Sequence, residues 1–285
     1  MKTRKEVPDN QGLKSFVTRQ KINIYSSFLK RVVQVQLLAF EDGKKVGKRG
    51  LLLLNDGQDL EKLELEKTLR QFAASGTTIP FIVVAISAGE RKSEYGVSGS
   101  PDYLGRGNKA HLYEDFIIHE LLPWIKSHTG HAYTPELTAF AGCSLGGLSA
   151  LDVAISNPHH FGMVGVFSGS IWWRSKGYEE GYTDNDRIIL SKLKELNLAN
   201  HFRCWLMAGT NDEKNDRNRS GIIDAVEDTL DLFELLHKKM TTPIDRLTLR
   251  IIDGGNHNPA TWASHFPDFL HTAFNKQMHP QHKKK

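Results

Sequence analysis

The chain has 285 residues, 39% hydrophobic and 25% charged, the balance of a globular protein rather than a disordered one. Its net charge of +4 and pI near 8.9 could suggest a nucleic-acid surface. However, Lys2, Arg4, Lys5 and Lys283 to Lys285 place six positive charges at the two ends; 31 basic residues then face 33 acidic ones, which reads as solvated ends with no nucleic-acid partner.

The first twenty residues contain no apolar core of a signal peptide, and no run approaches the roughly 18 apolar residues of a membrane span. These features point to a soluble, cytoplasmic protein. Two strands are expected near Lys14 to Tyr25 and Arg31 to Phe40, the second alternating in "VVQVQLLAF", with a turn at Glu41-Asp42-Gly43. "LLLL" (Leu51 to Leu54) and "PFIVVAIS" (Pro80 to Ser87) are continuous apolar runs, as strands buried on both faces require. Residues 59 to 74 carry Leu60, Leu63, Leu69 and Phe72 at helical spacing. A polar loop spans Gly89 to Asn108, long enough to suggest function. Lys109 to Leu122 is expected to be helical, with Pro123 bending or restarting it.

Later strands are expected at Leu137 to Ala141, Met163 to Gly169, Cys204 to Gly209 and Arg246 to Gly255. Helices are expected over Leu145 to Asn157, Arg219 to Met240 and Pro259 to Phe274. Strands alternating with helices predict an α/β fold with a mostly parallel sheet covered on both faces. No repeat or linker interrupts the chain, so residues 1–277 read as one catalytic domain and 278–285 as a basic tail. Cys143 and Cys204, both in apolar strand surroundings, read as small hydrophobes rather than a disulfide.

"TAFAGCSLGGLSA" (Thr138 to Ala150) holds Ser144 in a G-x-S-x-G string between an apolar strand and a helix. That is the context of a nucleophile elbow, where Gly142 and Gly146 are needed because a Cβ would collide at the sharp turn. A serine hydroxyl needs a base to take its proton, and the base an acid to orient it. Asp212 follows the strand "CWLMAG" and His257 follows "RLTLRIIDGG", in the order serine, acid, histidine. Glu213 and Asp216 share the loop of Asp212, which is preferred because it lies nearest the strand end. Among 13 histidines only His257 follows a Gly-Gly break at a strand end; His265 is a weaker rival inside the last helix.

"LLLLNDGQDL", "EYGVSGSPDYLGRGNKAHLYEDFIIHELLPWI", "AGCSLGGLSAL", "FSGSIWW", "GTNDE" and "GGNHNPATW" together resemble the putative-esterase branch of the α/β-hydrolases over roughly residues 30 to 275. That branch includes feruloyl and acetyl-xylan esterases, siderophore esterases, formylglutathione hydrolases and mycolyl transferases. The resemblance implies a Ser144, Asp212 and His257 triad, with an oxyanion hole of the backbone N–H groups of Leu145 and Gln58. Asn55-Asp56-Gly57 stands where a histidine-glycine pair is common in the family, a departure that leaves backbone donors intact.

Of Trp172 and Trp173, one is expected in the core and the other against the substrate, with Tyr95 and Arg91 as further candidates in the long loop. His128-x-x-His131 and His279-x-x-His282 lack nearby carboxylate or thiolate partners and no phosphate-binding glycine loop occurs, so neither a metal nor a cofactor is implied. The expected function is serine carboxylic-ester hydrolysis through an acyl-serine. The expected small-molecule substrate is a soluble ester with a short or aromatic acyl group, since no apolar lid segment is visible. Acyl transfer to an alcohol and ligand binding without turnover are the alternatives.

Overall fold

The computed structural model describes residues 3–7, 15–41, 49–241 and 245–277. The 278–285 tail, with His279 and His282, and the Asp42-Gly43 turn lie outside the described residues. Among the described residues nine strands form one sheet: β1 (Thr3–Val7), β2 (Ser15–Ser26), β3 (Arg31–Glu41), β4 (Gly50–Asn55), β5 (Phe81–Ile86), β6 (Thr138–Cys143), β7 (Met163–Phe167), β8 (Arg203–Asn211) and β9 (Leu247–Asn256). The helices are α1 (Leu65–Ser75), α2 (Arg91–Glu94), α3 (Ala110–Asp115), α4 (Leu122–Thr129), α5 (Leu145–Ser156), α6 (Ile188–Glu195), α7 (Asp224–Lys239) and α8 (Pro259–Phe274).

The strand order is β1-β2-β3-β5-β4-β6-β7-β8-β9. Pairing is antiparallel from β1 to β5 and parallel from β5 onward. The apolar runs explain the middle of the sheet. Every residue of β4 and β5 is buried, and alternate residues feed two separate layers. Leu51, Leu53, Ile82 and Val84 pack with Leu148 and Leu151 of α5 and Leu232 of α7. Leu52, Leu54, Phe81 and Val83 pack with Leu65 and Leu69 of α1 and Phe266 and Phe269 of α8. Each of these buried side chains stabilises the fold by about 2 kcal/mol, so the sheet is a stiff platform. No helix among the described residues is long and apolar enough to cross a membrane.

Two expectations need correction. Residues 59 to 64 are not α-helical: a 3₁₀ turn at Gly57–Asp59 and further tight turns precede α1, which starts only after Glu64 takes a left-handed φ of 49°. Leu60 and Leu63 are buried from those turns, which mimics helical spacing. The helix expected from Arg219 starts at Asp224, because Arg219 and Gly221 have φ of 57° and 85° and the N–H groups of Ser220 and Gly221 bind the Asp216 carboxylate. Arg4 and Lys5 lie in β1, an edge strand of the sheet. Pro123 does restart a helix: a π-helical turn at Phe116–Leu121 lets Leu122 N–H reach Ile117 O, and Pro123 becomes the second residue of α4.

The parallel strands deliver five turns to one edge of the sheet. These hold Asp56 after β4, Ser144 after β6, Ser168 after β7, Asp212 at the end of β8 and His257 after β9.

Candidate active site

Ser144 joins β6 to α5 with φ 56° and ψ −126°, a conformation costly for a residue with a Cβ. The surroundings enforce it. Ser144 N–H donates to Phe167 O at 2.8 Å, and Ser144 O accepts from the N–H groups of Gly147, Leu148 and Ser170 at 2.9 to 3.2 Å. A Cβ on Gly142 would lie 2.3 Å from Gly146 O, and one on Gly146 would lie 2.6 Å from an Asp56 carboxylate oxygen. Both glycines are therefore demanded by packing. The neighbouring Cys143 thiol is buried, which holds its pKa far above the ordinary range and keeps it protonated.

Asp212 has a fully buried side chain. One oxygen accepts Gly209 N–H at 2.9 Å; the other has no hydrogen-bond partner among the described residues and lies 4.0 Å from His257 Nδ1. That spacing is looser than a hydrogen bond. The rival acids face elsewhere. Glu213 accepts from Asn215 at 3.0 Å, and Asp216 accepts from its own loop. His265 is occupied within α8, its Nδ1 3.0 Å from Thr261 O.

Burial pushes the His257 pKa below its ordinary value, with Asp212 pulling it up and Arg91 pushing it further down. The His257 ring meets Trp262 edge-on at 5.1 Å, and Trp262 Nε1 donates to Ser168 Oγ at 3.0 Å. Trp262, five residues after His257 in "GGNHNPATW", thus ties His257 to the turn after β7. It was missed from sequence because a tryptophan in a helix reads as core.

The turn after β4 is held on every side. Asp56 is left-handed, with φ 59° and ψ 46°. Its N–H donates to Tyr95 Oη at 3.1 Å, and Arg91 pairs with both its carboxylate oxygens at 2.8 and 2.9 Å. Arg91 also reaches Cys143 O at 3.4 Å. The Gln58 side chain folds back onto Asp56 Oδ1 and Ala88 N–H. The backbone N–H groups of Gln58 and Leu145 donate to no acceptor among the described residues. Asn55 bridges this turn to the elbow, donating to Gly146 O at 2.8 Å and accepting from Tyr113 Oη at 2.6 Å.

The aromatic candidates separate. Tyr95 and Trp173 are 0% exposed and present no surface to a ligand. Gly96 and Gly107 leave the space that the Trp173 indole fills; a Cβ on either would sit 2.9 Å from it. Tyr95 is a strut under the Asp56 turn rather than a wall. Trp172 is half-buried, with the Arg106 guanidinium 5.2 Å from its ring.

The strand order, the antiparallel second and third strands and the serine turn before α5 define an α/β-hydrolase fold. Residues 26–273 match the family described as Putative esterase, and the chain belongs to that family. It is 39% identical over 91 residues to the iron(III) enterobactin esterase of Escherichia coli K12, a match covering 32% of this chain and 22% of that protein. It is 24% identical over 228 residues to YbbA of Bacillus subtilis, covering 78% and 84% of the two chains. Among solved structures, the enterochelin esterase of Shigella flexneri superposes with a TM-score of 0.71 at 23% identity, over 92% of this chain and 59% of that one. A ferulic acid esterase gives 0.67 at 16%, over 92% and 98%. The chain therefore spans about three fifths of the Shigella protein's length.

Proposed function

We propose that this protein is a serine carboxylic-ester hydrolase, with residues 1–277 acting as one catalytic domain. The observation that carries the reading is the strained backbone of Ser144, held between Gly142 and Gly146 at the edge where Asp212 and His257 also meet. Strain of this kind persists where the surroundings over-determine it, and here it projects a hydroxyl at the end of a strand.

In the proposed reaction Ser144 Oγ attacks the acyl carbon while His257 Nε2 takes its proton, and Asp212 holds the resulting imidazolium. The oxyanion sits between Gln58 N–H and Leu145 N–H. His257 then protonates the departing alkoxide, leaving an acyl-Ser144. Water, deprotonated by His257, attacks that acyl group, and Ser144 recovers its proton. The lowered His257 pKa keeps the imidazole neutral, as a base must be, near neutral pH.

Trp172 is the aromatic wall of the proposed cleft, Tyr95 and Trp173 being buried behind it. The names of the similar structures, enterobactin and ferulic acid esterases, support a soluble ester with a short or aromatic acyl group. The test is turnover of p-nitrophenyl acetate by the wild type and by Ser144→Ala. Hydrolysis should be lost in the variant; equal turnover in a folded Ser144→Ala protein would move the nucleophile elsewhere.

A further inference from the structure

We infer that Gln36 is a positioning residue for the oxyanion hole, locking the peptide that carries the Gln58 N–H; this rests on the serine-hydrolase reading above. Gly57 C=O and Gln58 N–H belong to one trans peptide, so they point in opposite directions, and fixing the oxygen fixes the direction of the N–H. Gly57 O accepts from Gln36 Nε2 at 2.7 Å. Gln36 reaches it from β3, is only 4% exposed, and pairs in register with Ala85. The backbone of Ala85 also crowds Gly57, where a Cβ would stand 2.7 Å from the Ala85 carbonyl carbon.

Arg19 decides which way round the Gln36 amide lies. Its Nε and Nη2 donate to Gln36 Oε1 at 3.0 and 2.5 Å. A guanidinium has donors only, so the amide oxygen must face Arg19 and the NH₂ must face Gly57. Leu60 N–H, at 3.3 Å, is the other donor to Gly57 O and the longer of the two. The second proposed oxyanion peptide has a comparable anchor, since Ser144 O takes three backbone donors. The difference is that the Gly57 peptide lies in a short turn with no α-helix of its own, and a side chain from another strand supplies the main hold. Without it the peptide can turn over, aiming a carbonyl dipole where negative charge develops.

The experiment compares wild type with Gln36→Met, which keeps the volume without hydrogen bonds, and Gln36→Glu, which keeps the Arg19 pairing but cannot donate when ionised. Four quantities are read: kcat and KM for p-nitrophenyl acetate, normalised by fluorophosphonate active-site titration; Ki of an alkyl trifluoromethyl ketone, whose adduct carries an oxyanion; and Tm. A deleted oxyanion donor lowers kcat roughly 10²- to 10³-fold, so a misaimed one should lower kcat/KM about 10- to 100-fold, with KM little changed. Ki should weaken in the same proportion. A merely structural loss would reduce the titratable fraction and leave Ki unchanged. Glu61→Gln, at the exposed partner of Arg19, should behave as wild type. If neither Gln36 variant folds, Arg19→Met serves, because it frees the amide to rotate; a smaller drop in kcat/KM with a parallel Ki shift is expected. Wild-type rates and Ki in any folded variant at Gln36 overturn the inference alone. Absence of Ser144-dependent turnover in the wild type overturns the hydrolase reading first.

Discussion

Replacing Asp212 by asparagine changes almost no volume, yet the geometry makes it a severe test. One carboxylate oxygen accepts Gly209 N–H at 2.9 Å, so that position must remain an oxygen in the variant. The amide NH₂ is then forced into the other position, 4.0 Å from His257 Nδ1 in the wild type. Facing a donor, Nδ1 becomes an acceptor and the imidazole proton moves to Nε2, the atom that should receive the serine proton. The wrong tautomer lowers kcat about 10⁴-fold, equivalent to about 5 kcal/mol in the barrier. The pH profile gives a second readout. In the proposed mechanism activity needs neutral His257 and is lost as pH falls through its pKa, which Asp212 raises against burial. Removing that charge should move the acid limb of kcat/KM to lower pH. Stopped-flow and steady-state assays with p-nitrophenyl acetate over pH 4 to 9 test both, with Glu213→Gln, already bound to Asn215, falling less than about tenfold. A loss below tenfold in Asp212→Asn, or a limb that moves upward, would refute the reasoning.

Gly146→Ala should abolish most ester turnover and lower Tm in differential scanning, because its Cβ would meet Asp56 Oδ2 at 2.6 Å and Asn55 Cβ at 3.2 Å; wild-type kinetics would contradict this. Trp262→Phe removes the donor to Ser168 Oγ while keeping a ring beside His257, and should lower kcat several-fold without altering KM. Across p-nitrophenyl esters, kcat/KM should peak with acetyl, butyryl or aromatic acyl groups, since each added methylene gains about 0.8 kcal/mol only where an apolar pocket receives it; a steady climb through decanoyl would contradict it. Asp152, bound to Lys192 Nζ at 2.6 Å and Ser98 N–H at 2.8 Å, is pushed up to about 6, chiefly by burial. A raised carboxyl pKa contributes stability that is present below about pH 4 and lost as pH rises through about 6. The wild-type Tm should accordingly fall relative to Asp152→Asn across that window, and a constant difference would contradict it.

The features legible in the sequence are those set by local chemistry. α8 begins where expected because Asn258 caps it, accepting Thr261 N–H at 3.0 Å, and Pro259 suits its first turn. The four leucines of β4 announce a strand buried on both faces, and the elbow announces itself through two glycines with no room for a Cβ. What stayed hidden depends on strand order. Gln36 reaches Gly57 only because β5 brings β3 beside the turn after β4, and Arg91 reaches Asp56 across 35 residues. The places of the aromatic residues depend on the fold for a related reason. Tyr95, in the loop after β5, and Trp173, in the loop after β7, are both buried. Trp173 takes the core position expected of one of the two tryptophans, in a space that Gly96 and Gly107 leave open. The short helix α6 has too few residues for a periodic signal, and buried Leu60 and Leu63 imitate a helix while lying in tight turns.

The central claim is that Ser144 is the nucleophile, and covalent mapping tests it most directly. The folded protein should react stoichiometrically with a fluorophosphonate, and tandem mass spectrometry of the digest should place the adduct on Ser144, with no adduct in Ser144→Ala or in denatured wild type. An adduct on another residue, or none on folded wild-type protein, would contradict the account.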